Sequence, residues 1–390
     1  MSAAAPIQFG SEGSGIRGTA GDYPLDPPTL LRIGRGIGRW LTTQPDFNES
    51  SASALFGQDT RVTSPMLMQA LATGMMAEGI TIVNAGVLPL PGINHLLAAN
   101  AGKFDIGLYI GAGDEPANRN GFKLIGRDGY SLSRVDEGAI EQLIDLLKDN
   151  RMARSGSFKR YSLLPASGLI DQYMAHLTGW CAPDALSGWR IVVDCANGAA
   201  HKIAPDALKL AGADLTLTIN DTTDGSSINY LSGSAHVIKD RKNLVEIVQA
   251  MDANAGIALS GDGDGVVVAT PGGKLLDGDA LLAIIATEMK SADNLPDNAI
   301  CGTPRSSKML ERFLSKQGID LLRSDDVLQT MRQRGLRIGG YPDGRIIILD
   351  DTHNSADGVY VALLLGWLIT YHQKSGGLTL DEIAAQVLEN

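Results

Sequence analysis

The sequence has few of the residues that mark disulfide-bonded, metal-clustered or nucleic-acid-binding proteins. It contains three cysteines in 390 residues. Cys181, Cys195 and Cys301 show neither a metal-ligand spacing nor a disulfide framework, so reduced thiols are expected. Positive charge is also scarce, because 33 basic residues face 44 acidic ones and give a net charge of −11. Nucleic acid and anionic membranes require a basic face, so neither is expected as a partner, whereas a small phosphorylated ligand needs only a local basic pocket.

Long apolar runs are missing as well. The longest run, VYVALLLGWLITY at 359–371, is too short to span a bilayer and indicates a buried helix. The start, MSAAAPIQFG, lacks the basic segment and apolar core of a secretory signal. We therefore expect a cytoplasmic protein with ordinary globular packing, since 44% of the residues are hydrophobic and 20% are charged.

What is present is an alternation of strand and helix signals. ASALFGQD (52–59) predicts a strand, and ITIVNAG (80–86) predicts a second strand. Between them, SPMLMQALATGMMAEG (64–79) predicts an amphipathic helix with Ser64 at its cap. The same rhythm returns twice, at 189–219 and 298–324. The pattern indicates an α/β protein of several domains.

Domain boundaries are predicted from composition. The polar stretch KDNRMARSGSFKRYS (148–162) is one boundary, and MDANAG (251–256) lies near a second. The predicted domains are residues 1–152, 153–254 and 255–390.

One short stretch has the form of a catalytic loop without a reactive residue at its turn. In GLYIGAGDEPANRNGFKL (107–124), an apolar strand enters a glycine-rich turn, followed by Asn-Gly and a lysine. Glycines allow the backbone to bend sharply and to approach a ligand closely. The turn itself offers Gly111, Ala112 and Gly113, none of which has a nucleophilic side chain.

Five further stretches, in order along the chain, resemble one family. They are FGSEGSGIRG (9–18), GQDTRVTSPML (57–67), VVDCANGAA (192–200), INYLSGSAH (228–236) and GIALSGDGDGVVV (256–268). The set is similar to the α-D-phosphohexomutases, which include phosphoglucomutase, phosphomannomutase and phosphoglucosamine mutase. The resemblance implies three consecutive α/β domains around a central cleft. The chain stops shortly after the third-domain helix, so the family's phosphate-binding fourth domain is expected to be absent.

The resemblance also implies a chemistry from which this sequence departs. Members of the family transfer a phosphoryl group from a phosphoserine to a sugar phosphate, with magnesium held by three aspartates. Here Gly113 occupies the serine position, and Asp114 and Glu115 occupy the neighbouring His and Asn positions. In the metal loop (residues 260–265), Ser260 stands where the family has an aspartate, whereas Asp262 and Asp264 match the family pattern. In the sugar loop (residues 339–345), Tyr341, Asp343 and Arg345 stand where the family has Glu, Ser and His. Asp262 and Asp264 are expected to persist as ligands, with Gly265 where the family has arginine.

Other family positions are retained: Arg17, Asp59, Arg61, Asn120, Gly121, Lys123 and His236. These residues either attract an anion or pair with one another and hold the domains together. Asp114 with Asp262 and Asp264 could form a weak Mg²⁺ site, although acidic residues in glycine-rich turns also serve simply as turn residues. Arg17, Asn120, Tyr341 and Arg345 are the candidate ligand-binding residues. Arg337 and Arg345 could bind phosphate, with Tyr341 stacked on a ring, or lie on a solvated loop.

The loss of these groups predicts a phosphohexomutase-like protein without mutase activity, a pseudoenzyme with a binding, regulatory or partner-subunit role. The alternative is a repurposed enzyme acting on a phosphorylated sugar or nucleoside without a phosphoserine intermediate. In that enzyme Lys123 and His236 would be acid/base groups, and Asp114 and Glu115 would be new acid/base or metal groups. A homodimer or a hetero-partner is expected to cover the face left by the missing fourth domain.

Overall fold

The computed structural model describes residues 5–10, 15–48, 51–147, 163–166, 168–374 and 377–389. The chain divides into two compact units. The first unit comprises Met1–Ile170 with Asp224–Ser226, and the second comprises Asp171–Thr223 with Ser227–Asn390. The predicted boundary at 148–162 lies outside the described residues.

The first unit is built on one six-stranded sheet. Its strands are β1 (Ile16–Thr19), β2 (Ser53–Gln58), β3 (Thr81–Val87), β4 (Ile106–Ile110), β5 (Arg119–Gly126) and β6 (Leu163–Pro165). Its helices are α1 (Pro27–Leu41), α2 (Ser64–Ala77), α3 (Leu90–Ala99) and α4 (Arg134–Leu146). The strand order is β1-β5-β4-β2-β3-β6. β2 is parallel to β4, whereas β5 is antiparallel to both β4 and β1.

Burial and capping explain the elements beside the candidate loop. Every residue of β4 is buried, as expected for an apolar strand covered on both faces. Helix α1 begins after Asp26, whose side chain accepts a hydrogen bond from the Thr29 N–H at 3.0 Å. Helix α2 begins at Ser64 itself, and its N-cap is Thr63, so the prediction of Ser64 as the cap was wrong.

The second unit contains two sheets. The first has the order β11-β10-β9-β7-β8 and the second has the order β13-β12-β14-β15. The strands are β7 (Arg190–Asp194), β8 (Leu215–Ile219), β9 (Ala255–Leu259), β10 (Val266–Ala269), β11 (Leu275–Leu276), β12 (Ala299–Gly302), β13 (Asp320–Arg323), β14 (Ile338–Gly340) and β15 (Ile346–Ile348).

Helices accompany both of these sheets. They are α6 (Ile203–Leu210), α7 (Gly233–Asp240), α8 (Asn243–Ala250), α9 (Gly278–Ser291), α10 (Lys308–Lys316), α11 (Val327–Arg334), α12 (Gly358–Lys374) and α13 (Leu380–Leu388). Helix α5 (Leu169–Thr178) begins in the first unit and continues in the second. Three sheets with flanking helices confirm the predicted α/β class. Within the described ranges, no helix combines the length and apolarity needed to cross a membrane.

Candidate functional site

The turn between β4 and β5 is held by its own backbone. The Gly111 N–H donates to the Gly121 carbonyl at 3.0 Å, and the Glu115 N–H donates to the Ala112 carbonyl at 3.2 Å. Gly113 has a φ of 57°, in the left-handed region that glycine adopts at little energetic cost. The turn therefore keeps a defined shape, while residues 111–113 contribute only backbone and one methyl group.

A buried arginine, Arg61, supports this turn from the segment that follows β2. Arg61 is 1% exposed and pairs with the fully buried Asp59. Its Nη2 donates to the Gly113 carbonyl at 3.2 Å and to the Glu115 carbonyl. Asp59 also accepts the Arg61 backbone N–H at 3.0 Å and the Ser64 hydroxyl at 2.9 Å. Both retained family residues thus hold the backbone of the turn, which supports the structural role considered for this pair.

Asn120 has a similar positioning role. Its amide nitrogen donates to the hydroxyls of Thr63 at 2.8 Å and Ser64 at 3.1 Å, and its side-chain oxygen accepts the Gly121 N–H at 2.8 Å. The residue is fully buried. These contacts tie β5 to the start of α2 and account for the hydrogen-bonding capacity of the Asn120 side chain.

The remaining predicted residues of the first unit lie around the turn. Arg17 is exposed on β1, opposite Gly121 in the strand register, and Lys123 is half-buried two residues further along β5. Asp114 is exposed at the turn, whereas Glu115 is half-buried and lies 3.7 Å from the Arg119 guanidinium. The turn thus carries two carboxylates, and the strands beside it carry two of the retained cations.

The metal loop closes on a serine hydroxyl in the second unit. The Ser260 hydroxyl is within hydrogen-bond distance of Asp262 Oδ1 at 3.2 Å and Asp264 Oδ1 at 3.1 Å, and it accepts the Gly265 N–H at 2.9 Å. Ser260 and Asp262 are each 2% exposed, and Asp264 is half-buried. One carboxylate oxygen from each aspartate is therefore directed to the same side of the loop.

The sugar loop places its arginine between an acid and a ring. Arg345 donates through Nη2 to Asp343 Oδ2 at 2.8 Å and through Nε to Asp343 Oδ1 at 3.1 Å. Its guanidinium carbon lies 4.1 Å from the centre of the Tyr341 ring, so this arginine covers one face of the ring that was expected to stack on a ligand. Burial alone would lower the pKa of Arg345, but the Asp343 hydrogen bond and the charge of Asp264 raise it above its ordinary value.

His236 lies on α7, and the start of that helix is fixed by a residue that the sequence analysis missed. Asp194, at the end of β7, accepts the Ala196 N–H at 2.9 Å and the Gly233 N–H at 2.8 Å. Burial raises the pKa of Asp194, while these hydrogen bonds and His236 oppose that rise. The VVDCANGAA stretch contains Asp194 and was the available signal for it.

The predicted site residues divide between the units. Arg17, Asp114, Glu115, Asn120 and Lys123 belong to the first unit, and the others belong to the second: His236, Asp262, Asp264, Tyr341 and Arg345. A site shared by Asp114 with Asp262 and Asp264 therefore stays a prediction. Among the residues that the structure describes, no group of three or more His, Cys, Asp or Glu side chains is arranged to hold a metal.

The metal loop offers oxygen donors of the kind that magnesium binds. Proteins bind Mg²⁺ through one or two carboxylates, with water and substrate phosphate completing its coordination. Asp262 and Asp264 supply two carboxylates, and Ser260 supplies a hydroxyl between them. With Asp343 and Arg345, the two loops carry three negative charges and one positive charge, and the balance of −2 matches one divalent cation. The donor set fits magnesium with one carboxylate fewer than the three expected of the family.

Family models match most of the chain. Three phosphoglucomutase/phosphomannomutase domains match in order: alpha/beta/alpha domain I at residues 8–151, domain II at 171–273 and domain III at 277–390. Phosphoglucosamine mutase from Bartonella tribocorum is 37% identical over 91% of this chain and 76% of its own length. Phosphoglucosamine mutase from Rhizobium etli is 34% identical over 96% of this chain and 80% of its own length.

Solved structures share the fold at lower identity. A putative phosphomannomutase from Thermus thermophilus has a TM-score of 0.79 at 20% identity, covering 98% of this chain and 83% of its own. An Aspergillus fumigatus N-acetylphosphoglucosamine mutase, solved with GlcNAc-6P and magnesium, has a TM-score of 0.60 at 14% identity, covering 98% and 80%.

These relatives overturn the functional prediction made from the missing residues. Curated proteins 34–37% identical over 91–96% of the chain are phosphoglucosamine mutases. The expectation of a pseudoenzyme with a binding or regulatory role was therefore wrong, and so was the alternative of an enzyme repurposed away from mutase chemistry. The error came from judging each substituted position separately, without the similarity that extends along the whole chain.

Proposed function

Because the chain belongs to the phosphoglucomutase/phosphomannomutase family, the α-D-phosphohexomutases, we propose that it is a sugar-phosphate mutase acting on a phosphorylated hexosamine. The observation that carries this proposal is 34–37% identity, over 91–96% of the chain, to phosphoglucosamine mutases. The reaction would move a phosphoryl group between two hydroxyls of the same amino sugar. Arg17 and Lys123 supply local positive charge for a small anionic substrate in a chain that is acidic as a whole.

The phosphoryl carrier must differ from a side chain at position 113, because a glycine there has no hydroxyl. We assign the carrier role to the Asp114 carboxylate, which is exposed on the turn supported by Arg61. Aspartate forms acyl phosphates in other phosphoryl-transferring enzymes. Asp114 stands next to Gly113, at the position where the family has histidine beside its serine.

In the proposed cycle, the Asp114 carboxylate gives up one phosphoryl group and takes back another. The phosphorus of an Asp114 acyl phosphate is attacked by the free hydroxyl of the sugar phosphate, its bond to Asp114 breaks, and the hydroxyl proton passes to a base. The resulting bisphosphate reorients, and an Asp114 oxygen takes the other phosphoryl group while the departing sugar oxygen regains a proton. Lys123, on β5 in the same unit as Asp114, is the candidate for carrying that proton.

Asp262 and Asp264, with the Ser260 hydroxyl, would hold Mg²⁺. A bound magnesium ion neutralises charge on a transferring phosphoryl group. Two carboxylates give a weaker site than three, because affinity for hard cations follows the number of charged ligands. We propose that this chain retains magnesium binding at reduced affinity.

The test is turnover combined with trapping of the phosphorylated protein. The protein, primed with a hexosamine bisphosphate, should convert glucosamine 6-phosphate to glucosamine 1-phosphate and carry a phosphoryl group that hydroxylamine removes, as acyl phosphates require. Asp114→Asn should abolish both signals, whereas the matched Glu115→Gln variant should keep them. Turnover with no hydroxylamine-sensitive phosphate would reject Asp114 as the carrier, and no turnover by any variant would reject the mutase itself.

A further inference from the structure

Arg345 occupies the space beside a position of the metal loop that has no side chain. A Cβ atom built on Gly265 would lie 3.5 Å from Arg345 Cγ and 3.5 Å from the Ser260 hydroxyl oxygen. Both distances are ordinary van der Waals contacts. A Cβ atom at residue 265 would therefore pack directly against the side chains of Arg345 and Ser260.

The approach of the two loops is fixed by backbone contacts. The Val266 N–H donates to the Gly344 carbonyl at 3.0 Å. Gly344 has a φ of 99°, and a Cβ there would lie 2.2 Å from the Val266 carbonyl oxygen, so this position requires glycine. On the other side of the metal loop, the Gly358 N–H donates to the Gly263 carbonyl at 3.0 Å. The backbone at Arg345 is thus held beside Gly265 by the fold of the second unit.

The guanidinium is also fixed in orientation. Asp343 accepts from Nε and Nη2, and the Tyr341 ring lies against the guanidinium plane. Among the described residues, the hydrogen bonds of this guanidinium use those two nitrogens and leave Nη1 for another acceptor. The side chain is 37% exposed, so a solute can reach it. A guanidinium held in this way presents Nη1 to the oxygens of a phosphate, to which it can donate a charge-assisted hydrogen bond.

We propose that Arg345 takes the place of the side chain missing at Gly265 and binds a phosphate of the substrate beside the metal loop. Asp262 and Asp264 carry the cation, and Arg345 contributes a charged hydrogen-bond donor to the phosphate. Because the three acids and Arg345 leave a balance of −2, the phosphate binds together with magnesium and only weakly without it. This inference rests on the proposed function for its ligand class.

The experiment measures binding of glucosamine 6-phosphate in 5–10 mM Mg²⁺, on the order of excess needed for a weak site, by calorimetry on the full chain. Glucosamine without phosphate is the ligand control. Arg345→Ala should weaken binding at least about tenfold, the size expected when a charged hydrogen bond is lost. Arg334→Ala is the matched control, because that arginine is exposed in the last turn of α11. It should bind as the wild type does.

A rescue variant separates the proposal from simple loss of folding. The double variant Gly265→Arg/Arg345→Ala supplies a guanidinium from the neighbouring loop and should recover most of the affinity. Wild-type binding by Arg345→Ala would overturn the proposal, and so would loss of binding without recovery in a folded double variant. Phosphate binding through Arg345 in a protein without turnover would refute the proposed function and leave this inference standing. Turnover by the wild-type protein with unchanged binding in Arg345→Ala would support the proposed function and refute this inference.

Discussion

Arg61 Nη2 donates to the carbonyl of Gly113 at 3.2 Å, so a buried guanidinium supports the one position where the family's nucleophile is replaced by glycine. The same guanidinium pairs with Asp59, and that carboxylate receives the hydroxyl of Ser64. The loop therefore keeps its backbone geometry through side chains that do not react. A family framework and a changed reactive group coexist because they depend on different residues.

Arg61→Ala is expected to destabilise the chain by about 3–5 kcal/mol, because it leaves the buried Asp59 carboxylate without its partner. The measurement is the free energy of unfolding in urea, with the exposed Arg17→Ala as the matched control. The control should change it by less than about 0.5 kcal/mol. A loss below 1 kcal/mol in Arg61→Ala would show that the pair does not hold the turn.

Gly113→Ala is expected to lower stability by about 1–2 kcal/mol, because an L-residue is strained at a φ of 57°. Gly113→Asn should lose less, since asparagine tolerates the left-handed region better than alanine. Thermal unfolding of both variants tests the ranking. Equal melting temperatures for wild type and Gly113→Ala would mean that the turn adopts another backbone conformation.

Ser260→Asp is expected to tighten magnesium binding by roughly tenfold, because it adds a third carboxylate beside Asp262 and Asp264. Without magnesium the same variant should melt lower, since three carboxylates then repel one another. Melting temperature as a function of magnesium concentration reports both effects. The matched Ser260→Asn variant adds similar volume without charge and should not tighten binding; if it does, charge count is not the cause.

Asp350 is expected to make the stability of the second unit depend on acid pH. Burial alone would raise the pKa of Asp350, but hydrogen bonds from His353 and Thr352 lower it below its ordinary value. A lowered pKa in the folded state stabilises the protein above about pH 4, and that stabilisation is lost as the pH falls toward the folded pKa. Asp350→Asn should therefore be less stable than wild type at pH 7. A difference that does not narrow below pH 4 would contradict this assignment.

Local elements could be predicted from the sequence because they depend on neighbouring residues. The helix predicted at 64–79 is Ser64–Ala77, and the strand predicted at 52–59 is Ser53–Gln58. Ser64 was misjudged as the cap because its hydroxyl bonds to Asp59, a partner that local capping rules do not consider.

The relation between Arg345 and Gly265 could not be predicted from their positions. The two residues are far apart in the sequence. They lie side by side where the Val266 N–H of β10 donates a hydrogen bond to the Gly344 carbonyl of the sugar loop. Considered one at a time, Gly265 is a position where the family's arginine is missing, and Arg345 is a position where a loop residue has been substituted. A through-space relation of this kind becomes visible only when the fold is known.

The most direct test of the mutase proposal is ³¹P NMR of glucosamine 6-phosphate incubated with the purified chain, magnesium and a catalytic amount of hexosamine bisphosphate. The account predicts that a glucosamine 1-phosphate resonance appears and grows to a constant ratio, approached from either isomer, and that Asp114→Asn leaves the starting resonance unchanged. A spectrum that stays unchanged with the wild-type chain, while a phosphoglucosamine mutase relative converts the same sample, would contradict it.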